Sequence, residues 1–240
     1  MRNKRTINRF NRKTLFLPIV TLALAFLLLT IAPASANSMQ EAMKIMDQSC
    51  KTFDNFIRDP NLEGFSNLLK NAMAVVIAPS LLKGAFVVGV SGGNAVAVIR
   101  DEKTGKWTAP AFYSMGGASF GLQIGGQASE VILLAMTKRG AVSLLTNSFK
   151  LGADAGVAAG PVGIGAQAAT ANLSADILSF SRSKGLYGGI SLDGAVIAVR
   201  EDLNEAYYNK PVSTQDIFVL HSANNPYSDR LLSILKESAD

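Results

Sequence analysis

Two segments of the chain, roughly one hundred residues apart, repeat a pattern of small-residue strand, turn and second strand. The first is APSLLKGAFVVGVSGGNAVAVIRDE (78–102) and the second is SRSKGLYGGISLDGAVIAVRED (181–202). Apolar runs around a glycine turn are typical of β-hairpins. Two similar hairpins predict one antiparallel barrel or sandwich. Both segments are rich in Gly, Ala and Val. Chance similarity therefore explains the repeat about as well as common ancestry does.

The turns and apolar runs predict where the strands begin and end. Ser91-Gly-Gly-Asn94 is predicted to join GAFVVGV to AVAVIR, and Asp193-Gly194 to join LYGGISL to AVIAVR, because Gly, Asn and Asp tolerate tight hairpin turns. Residues 107–113 and EVILLAM are also predicted as strands. Residues 117–128 alternate between an apolar face and a small, polar one. Their glycines would let a backbone, helix or ligand approach closely.

Helices are predicted at both ends of this strand-rich region. Apolar residues spaced three and four apart predict an N-terminal helix: Met39, Met43, Met46, Cys50, Phe53 and Ile57. Ser38 and Glu41 fit a capping box at its start, and Pro60 ends it. Its apolar stripe packs on its own domain or, alternatively, lies on a membrane surface. Short helices are predicted at 62–72, 138–146 and 226–236.

The predicted fold class is therefore α+β: a mainly antiparallel β barrel or sandwich with N-terminal helices and a short C-terminal helix. The predicted domain organisation is a signal peptide at 1–36, followed by one domain at 37–240. Residues 2–13 carry six basic residues and no acid, 15–32 are almost wholly apolar, and Ala34-Ser35-Ala36 fits signal peptidase. The alternative is an uncleaved anchor, because the apolar run is nearly long enough to span a bilayer.

The leader changes the meaning of the net charge. The whole chain has 23 basic and 18 acidic residues, a net charge of +5. Loss of the leader removes six basic residues and no acid, which leaves a net charge of −1. A nucleic-acid-binding domain needs a basic face on the folded part. The composition therefore predicts no nucleic-acid partner.

Residues suited to catalysis are scarce. The chain has one His, His221, and one Cys, Cys50, so an internal disulfide is excluded and a His/Cys zinc site is disfavoured. Cys50 is predicted to be buried, or else to pair between chains. Gly163-Ile-Gly-Ala-Gln-Ala168 resembles a dinucleotide fingerprint but lacks the surrounding βαβ pattern. We therefore expect no cofactor, no metal and no enzymatic activity, with a hydrolase using His221 as the weakest alternative.

Several motifs together resemble the SYLF domain family. They are WTAPAF from Trp107, GLQIGGQASEVILL from Gly121, FKLGADAGVAAGPVG from Phe149, FSRSKGLYGGISLDG from Phe180 and NEAYYN from Asn204. The family usually has Ser where this chain has Thr108. The resemblance extends from about residue 42 to the last helix. It implies a domain that binds phosphoinositides and actin in eukaryotic members, and that is exported in many bacterial members.

Lipid binding, as the resemblance implies it, requires basic side chains beside an apolar surface. The candidate lipid-binding residues are Lys83, Lys184, Arg182, Lys138 and Arg139. Lys83 and Lys184 occupy matching positions of the repeat, and the alternative for each residue is an ordinary surface charge. The predicted partner is an anionic phospholipid membrane, and any protein partner is unknown.

The predicted function is thus that of an exported, non-enzymatic lipid-binding domain of the cell envelope, periplasmic or outer-envelope associated. The alternative is a structural or protein-interaction module of the envelope whose glycine-rich faces pack against a partner. Actin binding is less expected, because an exported bacterial-type protein meets no actin in its own envelope.

Overall fold

A computed structural model describes residues 34–62, 64–85, 88–120, 125–161, 175–183, 186–188 and 192–239. The chain divides into two compact units, Met1–Asn37 and Ser38–Asp240. The basic and apolar parts of the predicted leader lie outside the described residues. So do Lys184 and the predicted fingerprint at 163–168.

The described residues form six α-helices and nine β-strands. The helices are α1 (Ala34–Ile57), α2 (Phe65–Asn71), α3 (Lys138–Ser143), α4 (Glu201–Tyr208), α5 (Thr214–Phe218) and α6 (Asp229–Ala239). Short 3-10 helices occupy Pro60–Leu62 and Pro226–Ser228. The strands are β1 (Ala74–Ala85), β2 (Val88–Ile99), β3 (Ala111–Phe120), β4 (Gly125–Ala135), β5 (Ser148–Lys150), β6 (Val157–Ala159), β7 (Ile177–Ser183), β8 (Leu186–Gly188) and β9 (Val196–Val199).

One curled sheet carries all of these strands, in the order β5-β9-β3-β2-β1-β4-β7-β6, with β8 paired to β7. The described pairings are antiparallel except that of β6 with β7. The α+β class, with a mainly antiparallel sheet, N-terminal helices and a closing C-terminal helix, is confirmed.

Helices α1 and α2 cover one face of the sheet through a cluster of phenylalanines. The ring of Phe65 lies 6.3 Å from that of Phe53, 6.0 Å from that of Phe56 and 5.1 Å from that of Phe180 on β7. Aromatic pairs at these separations add stability beyond the area that they bury. The predicted N-terminal helix is confirmed, but α1 begins at Ala34, so Ser38 lies inside the helix and is not its cap.

The predicted turn at 91–94 is wrong, because β2 runs straight through these residues. The β1–β2 connection instead falls at residues 86–87, between the two strand ends. Strand β1 has a bulge opposite β2, between Ile77 and Leu82. The bulge brings the carbonyl of Ser80 towards the backbone of Gly93. Glycine at 93 therefore serves close backbone approach within a strand.

The second predicted hairpin is also wrong among the described strands. A turn does form at Asp193-Gly194, and Gly194 has φ +82°. However, β8 pairs with β7, while β9 pairs with β3 and β5. Strands β8 and β9, from the two halves of the second segment, thus lie towards opposite ends of the strand order. Similar sequences take different topological roles, and the repeat does not produce two equivalent hairpins.

Candidate functional site

One end of the sheet is rich in glycine and is formed by residues 81–85, 88–93, 115–120 and 125–129. The sequence stretches 81–93 and 115–129 contain one charged residue, Lys83, and no acid. Both faces of the sheet are buried nearer the middle of β1 and β4, where Val75 to Ala78 and Val131 to Leu134 are all in the core. The glycine-rich end therefore differs from the rest of the sheet in charge, although Leu81 and Met115 within it are still buried.

Two large apolar side chains are exposed at the glycine-rich end. Leu82 is 60% exposed and Val90 is 63% exposed. Val90 pairs with Gly84, two residues beyond Leu82 on β1, so both side chains stand on the same face of the sheet. Their neighbours on that face are small, and include Gly84, Gly92, Ala118 and Ala128. The pair thus rises above a platform of glycine and alanine.

Lys83 lies in the same strand segment but on the opposite face. It pairs with Ser91 on β2 and with Gln127 on β4, and it is partly exposed. Lys83 therefore lies inside β1, two residues before the end of the strand. A lysine at this position has a long enough stem to place its ammonium at the end of the sheet.

Arg182 is held within the fold and is not displayed on the surface. Its guanidinium donates a hydrogen bond to the carboxylate of Glu130, its partner across the β4–β7 pair. About a quarter of each side chain is exposed. The same carboxylate accepts a hydrogen bond of 3.0 Å from Thr52 of α1. Arg182 thus helps to anchor α1 to the sheet.

Lys138 and Arg139 lie at the opposite end of the sheet, beyond the last residue of β4. The eight residue-to-residue steps from Gln127 to Ala135 span about 26 Å at the usual rise of a strand. Lys138 forms an exposed ion pair of 3.0 Å with Glu102. Arg139 donates to the carbonyl of Asp154 and lies 3.7 Å from the carboxylate of Asp176. The structure therefore does not bring these two residues together with Lys83.

A groove surrounds Trp107 at this opposite end, beside the β2–β3 turn. It has two adjoining parts of about 950 and 710 Å³, which share Trp107, Arg100, Lys106 and Leu232. The Arg100 guanidinium lies 4.5 Å from the centre of the Trp107 ring and donates to the carbonyl of Lys70, 2.8 Å away. This stacking fixes the tryptophan in the wall of the groove. We call this feature the Trp107 groove.

His221 has no catalytic partner among the described residues. Its Nε2 lies 3.3 Å from the carboxylate of Asp101, and no hydroxyl or thiol hydrogen-bonds to it in the described part of the chain. The hydroxyl of Thr104 donates to Asp101 and, with its backbone N–H, holds the pKa of that carboxyl below its ordinary value. His221 adopts φ 49°, a conformation uncommon outside glycine.

Cys50 is buried in α1, and burial raises the pKa of its thiol, which disfavours the reactive thiolate. Over the described ranges, no three His, Cys, Asp or Glu side chains cluster closely enough to hold a metal ion. No helix within these ranges combines the length and apolarity needed to cross a bilayer.

The sequence did not identify the exposed pair Leu82 and Val90, because both lie in apolar runs that also fit buried strands. The sequence feature that could have indicated this site is the absence of acidic residues from 81–93 and 115–129. The Trp107 groove was also missed, since its residues come from segments distant in sequence.

The fold and its surfaces define an α+β domain with a curled sheet whose glycine-rich end exposes Leu82 and Val90. The chain belongs to the SYLF (Ysc84) family: residues 116–238 match the family model described as "Las17-binding protein actin regulator". This is the family that the motifs indicated.

The curated relatives are longer eukaryotic proteins. An SH3 domain-containing protein of Schizosaccharomyces pombe is 30% identical over 70% of this chain and 40% of its own length. Protein YSC84 of Saccharomyces cerevisiae is 29% identical over 80% of this chain and 42% of its own. The human SH3 domain-containing YSC84-like protein 1 is 28% identical over 65% of this chain and 46% of its own length. The chain thus matches less than half the length of each of these relatives.

Proposed function

We propose that this protein is an exported, non-enzymatic domain that docks on anionic phospholipid membranes of the cell envelope through its glycine-rich end. The observation that carries the proposal is an exposed apolar end whose only charged residue is basic. A membrane surface with anionic lipids attracts lysines and buries apolar side chains that reach its interface.

The proposed contact is made by the tip of the sheet. Leu82 and Val90 enter the interface from one face, while Lys83 extends from the other face to the lipid phosphates. Each lysine near an anionic surface contributes about 1 kcal/mol, and each buried methylene contributes about 0.8 kcal/mol. Lys184, which lies in the family motif from Phe180 and matches Lys83 in the internal repeat, is the second proposed phosphate contact.

Export is supported by the order of basic, apolar and small residues in the first 36 positions. Cell fractionation with mass measurement of the mature N-terminus tests it. A mature chain starting at Asn37 in the envelope fraction supports the proposal, and an unprocessed cytoplasmic chain overturns it.

Sedimentation with liposomes tests membrane docking. We expect the mature protein to sediment with phosphatidylglycerol or cardiolipin liposomes at low salt, less so at high salt, and not with phosphatidylcholine alone. Salt weakens the contact because exposed charges are screened. No sedimentation with anionic liposomes at low salt would contradict the proposal.

A protein-interaction module is the second candidate, favoured by the family description, which names Las17 binding and actin regulation. The same exposed Leu82 and Val90 would then bury against a protein of the envelope. Purification from the native envelope distinguishes the two: anionic phospholipid detected by mass spectrometry favours docking on lipid, and a stoichiometric protein favours the second candidate.

The non-enzymatic part of the proposal is supported by the surroundings of His221, which has the partly exposed carboxylate of Asp101 as its partner and no hydrogen-bonded hydroxyl or thiol in the described part of the chain. An esterase activity of the purified protein that is lost in His221→Ala would overturn this part.

A further inference from the structure

We propose that the Trp107 groove binds one molecule of a single-chain anionic amphiphile, that is, a ligand with one acyl chain and one carboxylate or phosphate head. This site is separate from the glycine-rich end and does not depend on membrane docking. Three features of the groove support the inference: its size, its lysines without an ion pair and its apolar wall.

The size of the groove suits a small ligand. Pockets for small molecules usually measure about 300 to 1,000 Å³ and are lined mainly by apolar side chains with a few polar groups. Both parts of the Trp107 groove fall in this range, at about 950 and 710 Å³. The two parts meet at Trp107, so an extended chain can pass from one to the other along the indole ring.

One end of the groove carries cations that have no acidic partner. Lys106 lines both parts, and Lys236, in the last turn of α6, lines the smaller one. Neither forms an ion pair within the described part of the chain. Asp229, the acid of this part, stands at the other end of α6, about two helical turns from Lys236. An anionic head would therefore find two free ammonium groups here.

The larger part of the groove has an apolar wall, and its two acids are already paired. Ala141, Val142, Leu145 and Phe218 line it, and Val142 is 46% exposed. The acids Glu102 and Asp101 form ion pairs with Lys138 and His221, and Lys103, which follows them in the chain, also lines this part. An acyl chain along this wall buries apolar surface that is otherwise in water.

Trp107 is the only tryptophan in the chain, so its fluorescence reports directly on the groove. The probe is a single-chain lysophosphatidylglycerol, titrated below its micelle concentration into the full mature protein. We expect saturable binding with a blue shift of the emission, and quenching when the acyl chain is brominated. The same chain without an anionic head, as a monoacylglycerol, should bind at least about tenfold more weakly, because charge-assisted contacts are lost.

Two pairs of variants place the ligand. Lys106→Ala with Lys236→Ala should weaken lysophosphatidylglycerol binding roughly tenfold or more and leave the melting temperature unchanged, since exposed lysines seldom stabilise a fold. The matched control, Lys44→Ala with Lys51→Ala, removes two exposed lysines of α1 that do not line the groove and should bind like the wild type. Val142→Asn should weaken binding of lysophosphatidylglycerol, because it places a polar side chain against the acyl chain, and should leave the protein folded.

The proposal is overturned if the wild type shows no saturable change in tryptophan emission, or if the α1 control loses as much affinity as the groove variant. It is also overturned if an acidic peptide changes the tryptophan emission saturably while the amphiphile does not. Liposome sedimentation of the groove variant separates the two proposals: it should be unchanged, because membrane docking uses the glycine-rich end.

Discussion

A Cβ atom on Gly93 would lie 2.2 Å from the carbonyl oxygen of Ser80 on the neighbouring strand β1. Real side chains do not approach a backbone oxygen so closely, and here the neighbour is backbone that cannot swing away. The adjacent Gly92 has no atom within 4 Å of its own Cβ position. Position 93 therefore has no room for a side chain, whereas position 92 has room for one.

This contrast predicts opposite outcomes for two matched substitutions. Gly93→Ala should lower the free energy of unfolding by roughly 1–3 kcal/mol, since overpacking forces the bulged strand to shift. Gly92→Ala should be neutral or slightly stabilising, because alanine loses less conformational entropy than glycine on folding. Urea denaturation measures both. Equal destabilisation by the two substitutions would contradict the close approach at Ser80.

Lys83 and Lys184 are predicted to contribute to membrane docking and not to stability. Lys83→Ala with Lys184→Ala should weaken binding to anionic liposomes by roughly tenfold to thirtyfold, at about 1 kcal/mol for each lysine. The melting temperature should change little. The double variant of Lys44 and Lys51 on α1 is the control for net charge. Wild-type liposome binding by the Lys83 and Lys184 variant would make these lysines ordinary surface residues.

Arg182 is predicted to behave in the opposite way. Its ion pair with Glu130 is mostly buried beneath α1, so Arg182→Met leaves a carboxylate with one partner fewer. We expect a loss of about 1–3 kcal/mol in the free energy of unfolding, because a partly buried acceptor loses a charged donor. Liposome binding at a temperature where the variant is folded should match the wild type. If Arg182→Met is as stable as the wild type but no longer sediments with anionic liposomes, Arg182 is part of the membrane contact.

Asp176 connects three segments around the start of α3. Its carboxylate accepts hydrogen bonds from the Thr137 hydroxyl at 2.6 Å and from the Gly156 N–H at 2.8 Å, and Arg139 lies 3.7 Å away. These contacts, with the Thr137 hydrogen bond foremost, lower the pKa of Asp176 below its ordinary value. A carboxyl whose pKa is lowered by folding stabilises the folded state above its unfolded pKa.

Asp176→Asn should therefore lower stability at neutral pH, by about 1–3 kcal/mol. The difference from the wild type should shrink as the pH falls below the unfolded pKa of about 3.9 and then through the lower folded pKa. Urea denaturation between pH 7 and pH 2 measures this, with exposed Glu237→Gln as the control. A difference that stays constant down to pH 2 would contradict the pKa assignment.

The sequence predicted the type of most elements because their patterns are local. The apolar stripe from Met46 to Phe53 faces the core, and Pro60 follows the end of α1. The prediction of a turn at 91–94 was wrong because a glycine in a sequence can meet either of two structural needs: a positive φ in a turn, or the close approach of another strand. Only the bulge at Ser80, which is set by tertiary pairing, distinguishes them.

The site was harder to predict, because it depends on which strands become neighbours. Lys138 and Arg182 were grouped with Lys83 on charge alone, yet one lies at the far end of the sheet and the other is paired with Glu130. Leu82 and Val90 fit a buried strand by composition. Their exposure depends on what packs against this face of the sheet, which no local pattern records.

Labelling of the glycine-rich end with an environment-sensitive dye tests membrane docking most directly. Single cysteines at 82, 90 and 220 carry the dye; native Cys50 is buried and disfavoured as a thiolate. Leu220, 66% exposed, follows α5, whose last residue Phe218 lines the Trp107 groove, and it is the matched apolar control. We predict that anionic liposomes shift the dye emission at 82 and 90 to the blue and leave that at 220 unchanged. A blue shift at 220 alone, or at none of the three positions, would contradict docking through the glycine-rich end.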